Sequence, residues 1–456
     1  MSPSGSRRIE PDSALGLAER VLRLAEAEGA TEAEVLVTAG DEALTRFANS
    51  EIHQNVAESD VRLNVRFVRG RRIGVASSGR TDAEALRRLV ETAGRIAAVA
   101  DETTDWAGLP AAGPAEPVEG GFLAATADAS PELRAEGVRA VIAAADAARV
   151  EAFGSFSTGV ETVAIATTMG IRAAEARTTA RLLAVTMGPD DGTGYAEAAA
   201  VDAAAIDAAE VGREAAEKAR RSARPVDLPA GDYPVVLEEY AVADLLDNLG
   251  FVGFSGLAVE EERSFFEPGR RVGSELVTIV DDARDPACMP ASFDYEGVPT
   301  RRVVMLERGV CREVVHDAAT AARAGTTSTG HGLPAPNPWG PFPLHAALAA
   351  GSTPREELVR GLRRGLLVTR FHYTNVVHGK RAIITGMTRD GTFLVEDGEI
   401  VGPVRNLRFT QSYLDALAAV EAVASRRRLL RGEFGAALVP AVRIGSWRFT
   451  GATAAG

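Results

Sequence analysis

Residues that could bind a metal or transfer a proton are scarce in this sequence. The 456 residues include six His and two Cys. Two Cys cannot build a disulfide framework, a zinc finger or a Cys-ligated iron–sulfur cluster. The sequence also lacks the motifs G-x-x-x-x-G-K-[ST], G-x-G-x-x-G, G-x-S-x-G and H-E-x-x-H. It therefore predicts no phosphate-binding loop, no serine-hydrolase elbow and no common zinc-protease motif, and we assign no metal ligand in this chain.

A Gly- and Pro-rich segment over 325–343 carries the first candidates for substrate contact, His331 and Asn337. The segment has no regular period, and an irregular stretch of this length in a compact domain is often functional. His331 lies between two glycines, where it could contact a peptide substrate. A hydrogen bond that anchors the loop is an equally good interpretation of the same residue.

Three further candidates for a substrate cleft, His372, Tyr373 and Asn375, lie within or beside a predicted strand. His378 follows in the same stretch. Six residues along a strand span roughly 20 Å, so His372 and His378 are too far apart to share one metal. A standalone hydrolase that uses His331 or His372 with a nearby acid remains one hypothesis.

The charge balance excludes one class of partner. The formal net charge is −13, and the one run of three consecutive basic residues is at 426–428. Proteins that neutralise many phosphates need a basic face, so we exclude nucleic acid as a direct partner.

The first ten residues lack an apolar signal region, and no stretch approaches 18 uninterrupted apolar residues, so we expect no secretion and no membrane span. The cytoplasm is the expected location.

The elements that must position these residues form three predicted units. The first, 1–102, has a helix, several antiparallel strands and a second helix, with a hairpin that turns at 69–71. A linker rich in Pro and Gly over 103–121 precedes the second unit, 122–223, which again has a helix, strands and a helix, the last over 202–222.

The third unit, 230–456, has short strands separated by closely spaced turns, which predicts a mainly β, barrel-like domain. Helical patterns interrupt it at 242–249, 353–364 and 412–427. The fold class is therefore α+β, with two helix-and-antiparallel-strand units followed by the β domain. The first two units share a plan, but we find no repeat between them at the level of residues.

Several segments, in their order and spacing, resemble the TldD/PmbA family. The resemblance covers about 15–450, and no single motif in it is very specific. The segments are R-F-A-N-S-E-I-H-Q at 46–54, V-R-F at 65–67, R-I-G at 72–74, G-D-Y-P-V-V-L at 231–237, G-T-T-S-T-G-H-G at 325–332, F-L-V-E-D-G-E-I at 393–400 and P-V-R at 403–405.

This resemblance implies a heterodimeric zinc peptidase whose TldD-like subunit carries H-E-x-x-x-H on a helix and a Cys near its C-terminus. The same positions here read Asp247, Asn248 and Val252, and 432–448 contains no Cys. Val252 cannot ligate zinc, and Asn248 cannot act as a base. A slip in this correspondence would not restore the site, because no His lies between His53 and His316.

The resemblance therefore points to the PmbA branch, also called TldE-like, which lacks the metal motif and pairs with TldD. On this hypothesis the chain has no catalytic residue. It forms part of a tunnel for extended, unfolded peptides that are degraded or matured, and a TldD-like partner supplies the zinc. The alternative is a homodimeric scaffold that binds a peptide or carrier protein without hydrolysis. A homodimer of the isolated chain is compatible with either hypothesis.

Overall fold

The computed structural model of the protein describes residues 8–113, 116–432 and 435–452. Its fold is α+β, as the sequence predicts. The helices are α1 (Pro11–Ala27), α2 (Ala83–Val99), α3 (Ala124–Ala127), α4 (Pro131–Ala148), α5 (Ala208–Arg221), α6 (Glu239–Gly253), α7 (Gly256–Glu260), α8 (Ala318–Arg323), α9 (Arg355–Arg360) and α10 (Tyr413–Ala418). Short 3₁₀ helices lie at Ala203–Ala205 and Gly379–Arg381.

The strands are long in the first half of the chain and mostly short in the second. They are β1 (Glu32–Ala48), β2 (Glu51–Arg69), β3 (Arg72–Ser78), β4 (Glu151–Thr167), β5 (Arg172–Met187), β6 (Thr193–Ala200), β7 (Gly231–Leu237), β8 (Ile279–Asp281), β9 (Val303–Glu307), β10 (Val310–Cys311), β11 (His345–Leu348), β12 (Arg364–His378), β13 (Ile383–Glu396), β14 (Glu399–Pro403), β15 (Leu407–Ser412), β16 (Val420–Val423), β17 (Arg428–Arg431), β18 (Ala436–Val439) and β19 (Val442–Ala452).

Strands of the first two predicted units form one antiparallel sheet, in the order β3-β2-β1-β4-β5-β6. The units meet where β1 pairs with β4, with Glu34 opposite Thr167. Alternating apolar residues, such as Val35 and Val37 on β1, pack under α1 and α2. The equivalent side chains of β4 to β6 pack against α4 and α5. The helices therefore cover one face of the sheet, because successive strand residues point to opposite faces.

The opposite face of this sheet packs against the third unit. Leu36, Val163 and Ile165 form a small apolar cluster there with Phe293 of the third unit. These three residues occupy the alternate strand positions, as the period of two requires. Polar residues on the same face line the remaining space between the sheet and the third unit.

The third unit contains a closed ring of strands, which confirms the predicted barrel-like β domain. Its larger sheet runs β12-β7-β19-β15-β13-β14, and an additional pairing joins β12 to β13. The ring encloses an aromatic cluster in which the Trp447 ring stacks on Phe371 at 5.0 Å. A second sheet runs β10-β9-β8-β11-β18-β17.

Three predicted helices in the sequence were too long. Instead of a helix over 412–427, α10 ends at Ala418 and β16 and β17 follow. β16 pairs with β19, so the tertiary pairing outweighs the local helical pattern. The helix predicted over 353–364 is the short α9, and β12 begins at Arg364. The helix predicted over 202–222 begins late, because the Asp207 side chain accepts a hydrogen bond from the Glu210 backbone at 2.9 Å and caps α5 there.

The irregular segments were predicted correctly. Between α8 and β11 the described chain contains no helix or strand, which matches the expectation for 325–343. The first of the several antiparallel strands expected in the first unit is continuous over Glu32–Ala48. Among the described residues, no helix combines the length and the hydropathy needed to cross a bilayer.

Candidate functional site

The helix α6 divides into an apolar face and a polar stripe. Leu245, Leu246, Leu249 and Val252 are buried in the core of the third unit. Asp244, Asp247, Asn248 and Phe251 recur at helical spacing and line a cavity of about 400 Å³. Two of the three motif positions, Asp247 and Asn248, therefore face the cavity, whereas Val252 lies in the core.

We call this space the α6 cavity. It lies between the edge of the first sheet and the third unit, because β5 and β6 supply one wall and α6, β12 and β17 supply the others. Its size is typical of small-ligand sites. Its lining residues are Arg181, Tyr195, Glu197, Tyr240, Ala243, Asp244, Asp247, Asn248, Phe251, Arg370, Phe371, Thr374, Asn375, Val376, Leu430, Arg431 and Gly432.

A hydrogen-bond network fixes Glu197 in the wall of the α6 cavity. The Arg181 guanidinium donates to both carboxylate oxygens, at 3.0 and 2.8 Å. The Tyr195 hydroxyl donates to Oε2 at 2.6 Å, and the Arg431 backbone N–H donates to Oε1 at 3.2 Å. Burial, followed by the adjacent Glu197 carboxylate, raises the pKa of Tyr195. The phenol therefore stays protonated and acts as a donor.

A second carboxylate of the cavity, Asp244, is held in the same way. The Thr374 hydroxyl donates to its Oδ2 at 2.7 Å, and the Asn248 amide donates to its Oδ1 at 3.2 Å. The Tyr413 hydroxyl reaches Oδ1 at 3.4 Å. Asn248, which the resemblance places at the Glu position of the metal motif, thus donates a hydrogen bond that orients a neighbouring carboxylate.

The side chains that could bind a metal in this cavity do not match the two-His zinc site that the resemblance implies for catalytic members of the family. Zinc in proteins is bound by His, Cys and carboxylate ligands. Among the described residues the lining holds no His or Cys, and its carboxylates are Glu197, Asp244 and Asp247. Across 8–113, 116–432 and 435–452, no group of three or more His, Cys, Asp and Glu is arranged to hold a metal ion.

His331 lies outside the cavity, in a buried structural contact. Its side chain is 2% exposed, and its Nε2 lies 2.8 Å from Asp281 Oδ1. Its Nδ1 lies 2.9 Å from the Thr329 hydroxyl. Burial alone would raise the pKa of Asp281, but His331 and the His345 backbone lower it below its usual value. These contacts agree with the loop-anchoring interpretation, and substrate cannot reach this imidazole as it stands.

Asn337 shapes the loop beside the cavity. Its amide donates to the Gly340 carbonyl at 2.8 Å, and its Oδ1 accepts the Trp339 N–H at 3.0 Å. The loop places the Trp339 ring 6.0 Å from that of Phe251, which belongs to the cavity lining. Asn337 itself is not a lining residue.

Of the three β12 candidates, the structure brings one into the lining. Asn375 lines the α6 cavity, and its amide donates to the Tyr373 carbonyl at 2.9 Å. Tyr373 is 71% exposed, and its ring lies 4.3 Å from that of His372. Partial burial, then the nearby Arg389 and Arg370, lower the pKa of His372, which favours neutral imidazole.

Three arginines of this site were not identified from the sequence. Arg181, Arg370 and Arg431 all line the α6 cavity. Arg370 is bound to Asp390, with Nε to Oδ2 at 2.6 Å, and its guanidinium lies 4.4 Å from the Tyr195 ring centroid. One signal was present in the sequence, because Glu175, Arg177, Thr179 and Arg181 alternate along one strand and predict a polar face.

Models of one protein family match the chain in three consecutive stretches. The PmbA/TldA metallopeptidase domain 1 matches 33–97, the central domain matches 124–223, and the C-terminal domain matches 230–451. Among sequence relatives, a metalloprotease of Methanothermobacter thermautotrophicus is 28% identical over 230 residues, which are 49% of this chain and 49% of the relative. A metalloprotease TldD homolog of Haemophilus influenzae is 27% identical over 224 residues, 48% and 46% of the two chains. The chain thus spans about half the length of these curated relatives.

Solved structures match over nearly the whole length. TldE from Thermococcus kodakarensis superposes with a TM-score of 0.88 at 20% identity, covering 95% of this chain and 99% of that chain. A putative modulator of a DNA gyrase from Thermotoga maritima superposes with a TM-score of 0.84 at 20% identity, with the same coverage of 95% and 99%. At this identity the similarity shows the fold alone.

Proposed function

Because the chain belongs to the PmbA/TldD family of metallopeptidase-like proteins, we propose that it is the non-catalytic, TldE-like subunit of a heterodimeric zinc peptidase. The observation that carries the proposal is the helix α6. The positions of the family's metal motif read Asp247, Asn248 and Val252, and the cavity beside them holds no His or Cys among the described residues. Without those ligands and a base, this chain cannot activate water as the zinc subunit does.

In this proposal a TldD-like partner catalyses the hydrolysis, and this chain forms part of the substrate tunnel. The partner carries the zinc and the base, and this chain binds no metal of its own. The substrate is an extended, unfolded peptide that is degraded or matured. We expect the complex in the cytoplasm.

Exposed apolar side chains near the α6 cavity support the proposal that a partner subunit binds there. Trp339 is 64% exposed, Tyr373 71% and Val377 58%. Val376, at 39%, belongs both to this group and to the lining of the cavity. Exposed aromatic and aliphatic side chains grouped in this way mark protein-interaction sites. A partner seated here would cover the same region that borders the cavity.

Co-purification with a TldD-like chain from the same host tests this proposal. We expect a stable complex with zinc in the partner, and peptide hydrolysis only by the complex. Val377→Asp should lower capture of the partner at least about tenfold, because it buries a charge at the interface. Val99→Asp is the matched control, since Val99 is 83% exposed on the distant α2. Peptide hydrolysis by the isolated chain with stoichiometric zinc bound would refute the proposal.

The same experiment addresses the homodimeric scaffold. A chain that purifies only as a homodimer, with no TldD-like partner and no hydrolysis in any complex, would favour the scaffold. A hydrolase centred on His331 is disfavoured by the burial of that side chain.

A further inference from the structure

A second cavity, of about 420 Å³, lies between the first sheet and the third unit. We call it the sheet cavity. The polar face of β4 and β5 forms its floor, with Ser157, Glu161, Arg177 and Arg181 at alternating strand positions. Segments of the third unit that include Tyr295 and His345 lie opposite.

The sheet cavity and the α6 cavity meet at two arginines. Arg181 and Arg431 belong to the lining of both. Arg181 comes from β5, and Arg431 ends β17. Together the cavities run from the helix α6 to β1, which is a path long enough for several residues of an extended chain.

Several carboxylates along this path have partners. Glu197 receives four hydrogen bonds, as described above. Glu161 accepts from the Tyr295 hydroxyl at 3.2 Å, and Asp41 accepts from the Ser59 hydroxyl at 2.5 Å. Asp41 and the adjacent Glu42 lie on β1, two strands away from Arg181 on β5, a separation of about 10 Å. Of these acids, Glu197 pairs with Arg181 at the junction, and Asp244 and Asp247 of α6 also line the α6 cavity.

Arg431 differs from the other arginines of the path. Arg181 is bound to Glu197, Arg370 to Asp390, and Arg177 to Glu175. Over the parts of the chain that the structure describes, the Arg431 guanidinium forms no ion pair and no hydrogen bond, although its backbone N–H is anchored to Glu197. The backbone of Arg431 is thus anchored, and its exposed guanidinium is available to a ligand where the cavities meet.

We propose that Arg431, supported by Arg181, binds a carboxylate of an extended peptide that lies through both cavities. A guanidinium presents two N–H groups in the geometry of a carboxylate, so the pair can form two parallel hydrogen bonds. Tyr195, Phe251 and Phe371 provide aromatic walls for neighbouring apolar side chains. The carboxylate is either the peptide's C-terminus or an Asp or Glu side chain. The inference rests on the proposed peptide-binding function and adds the charge of the substrate.

Fluorescence anisotropy on the full-length protein tests the inference with three labelled octapeptides of Ala, Ser and Phe. One has a free C-terminal carboxylate, one a C-terminal amide, and one is the amide with a single internal Asp. We expect the peptide with the free carboxylate to bind at least about tenfold more tightly than the plain amide, because hydrogen bonds to a charged group are stronger than those to a neutral group. Tight binding of the Asp-containing amide instead would identify a side-chain carboxylate as the ligand.

The variants make the test specific. Arg431→Ala should remove the preference for carboxylate peptides, and Arg431→Lys should keep part of it. Arg87→Ala is the matched control, because Arg87 is exposed on α2 and forms no ion pair within the described ranges. Equal binding of all three peptides, an unchanged preference in Arg431→Ala, or no binding of any peptide would overturn the inference. None of these results would affect the subunit proposal, which depends on capture of the partner.

Discussion

At the scale of single residues, similar side chains have different tasks because their surroundings differ. His331 is buried against Asp281, whose Oδ2 also accepts the His345 backbone N–H at 2.7 Å. His372, on β12, is half-buried and contacts the Tyr373 ring. Both were candidates for substrate contact, but of the two only the His372 side chain is accessible to solvent. The buried pair between a loop and β8 holds the irregular segment in place.

His331→Ala should therefore lower the stability of the fold. We expect a loss of about 3 kcal/mol, because Asp281 would keep its charge in the interior without its main partner. His372→Ala, the matched control, should cost less than about 1 kcal/mol. Urea unfolding at neutral pH measures both. Since the pair lowers the pKa of Asp281, the difference between wild type and His331→Ala should shrink as the pH falls below about 4. Equal losses in both variants would contradict the structural role.

At the scale of elements, the first two units share one close contact between their outer strand and a helix. A Cβ built on Gly74 of β3 would lie 2.0 Å from the Ala93 carbonyl oxygen and 2.5 Å from the Ala97 nitrogen of α2. A Cβ on Gly194 of β6 would lie 2.0 Å from the Ala215 carbonyl oxygen. In both units a helix approaches the edge strand so closely that only Gly fits. The repeat that we could not find in the sequence exists in the packing.

Gly74→Ala and Gly194→Ala should each destabilise the protein. We expect about 3 kcal/mol, the upper end for overpacking, because backbone atoms of α2 and α5 must move apart from their strands. Gly16→Ala on α1 is the control, since no atom lies within 4 Å of its added Cβ. That variant should gain up to about 1 kcal/mol from helix propensity. Thermal unfolding of the three variants tests this, and a neutral Gly74→Ala would disprove the close approach.

At the scale of the whole molecule, buried charges join the first sheet to the third unit. Arg66 of β2 lies 3.4 Å from Glu34 of β1 and 3.5 Å from Glu296 of the third unit. One guanidinium thus faces two buried carboxyl groups, and Asp294 and Asp317 lie close by. Burial, followed by Asp294, raises the pKa of Glu296 to about 8, although Arg66 opposes the rise. Asp294, raised mainly by burial, has a pKa of about 6.

The stability of the molecule should consequently fall as the pH rises from about 4.5 to about 8. A carboxyl group with a raised pKa in the fold binds its proton more tightly there than in the unfolded chain. Its stabilising contribution is complete below the ordinary Glu pKa and is lost as the pH rises through about 8. The Ala318 N–H donates to Glu296 Oε2 at 2.8 Å, and a Gln amide oxygen can accept the same hydrogen bond. Glu296→Gln therefore removes the titration alone, and its stability profile should be flatter.

Urea unfolding at several pH values measures this effect. Each pH unit in that range costs the wild type up to about 1.4 kcal/mol for this group. Glu119→Gln, an exposed change on the linker, is the control and should follow the wild-type curve. Parallel curves for wild type and Glu296→Gln would contradict the prediction.

The sequence by itself determined the α+β class, the barrel-like β domain and the family. Each of these depends on residue types and local period, as with the alternation that makes one face of β5 polar. Only the tertiary structure decided that Val252 lies in the core while Asp247 faces a cavity, and that His331 is buried. It also decided that Arg181 and Arg431 meet, although one belongs to the first sheet and the other to the third unit. Local periodicity specifies which face of an element is apolar, but sheet order and loop geometry determine what packs against that face.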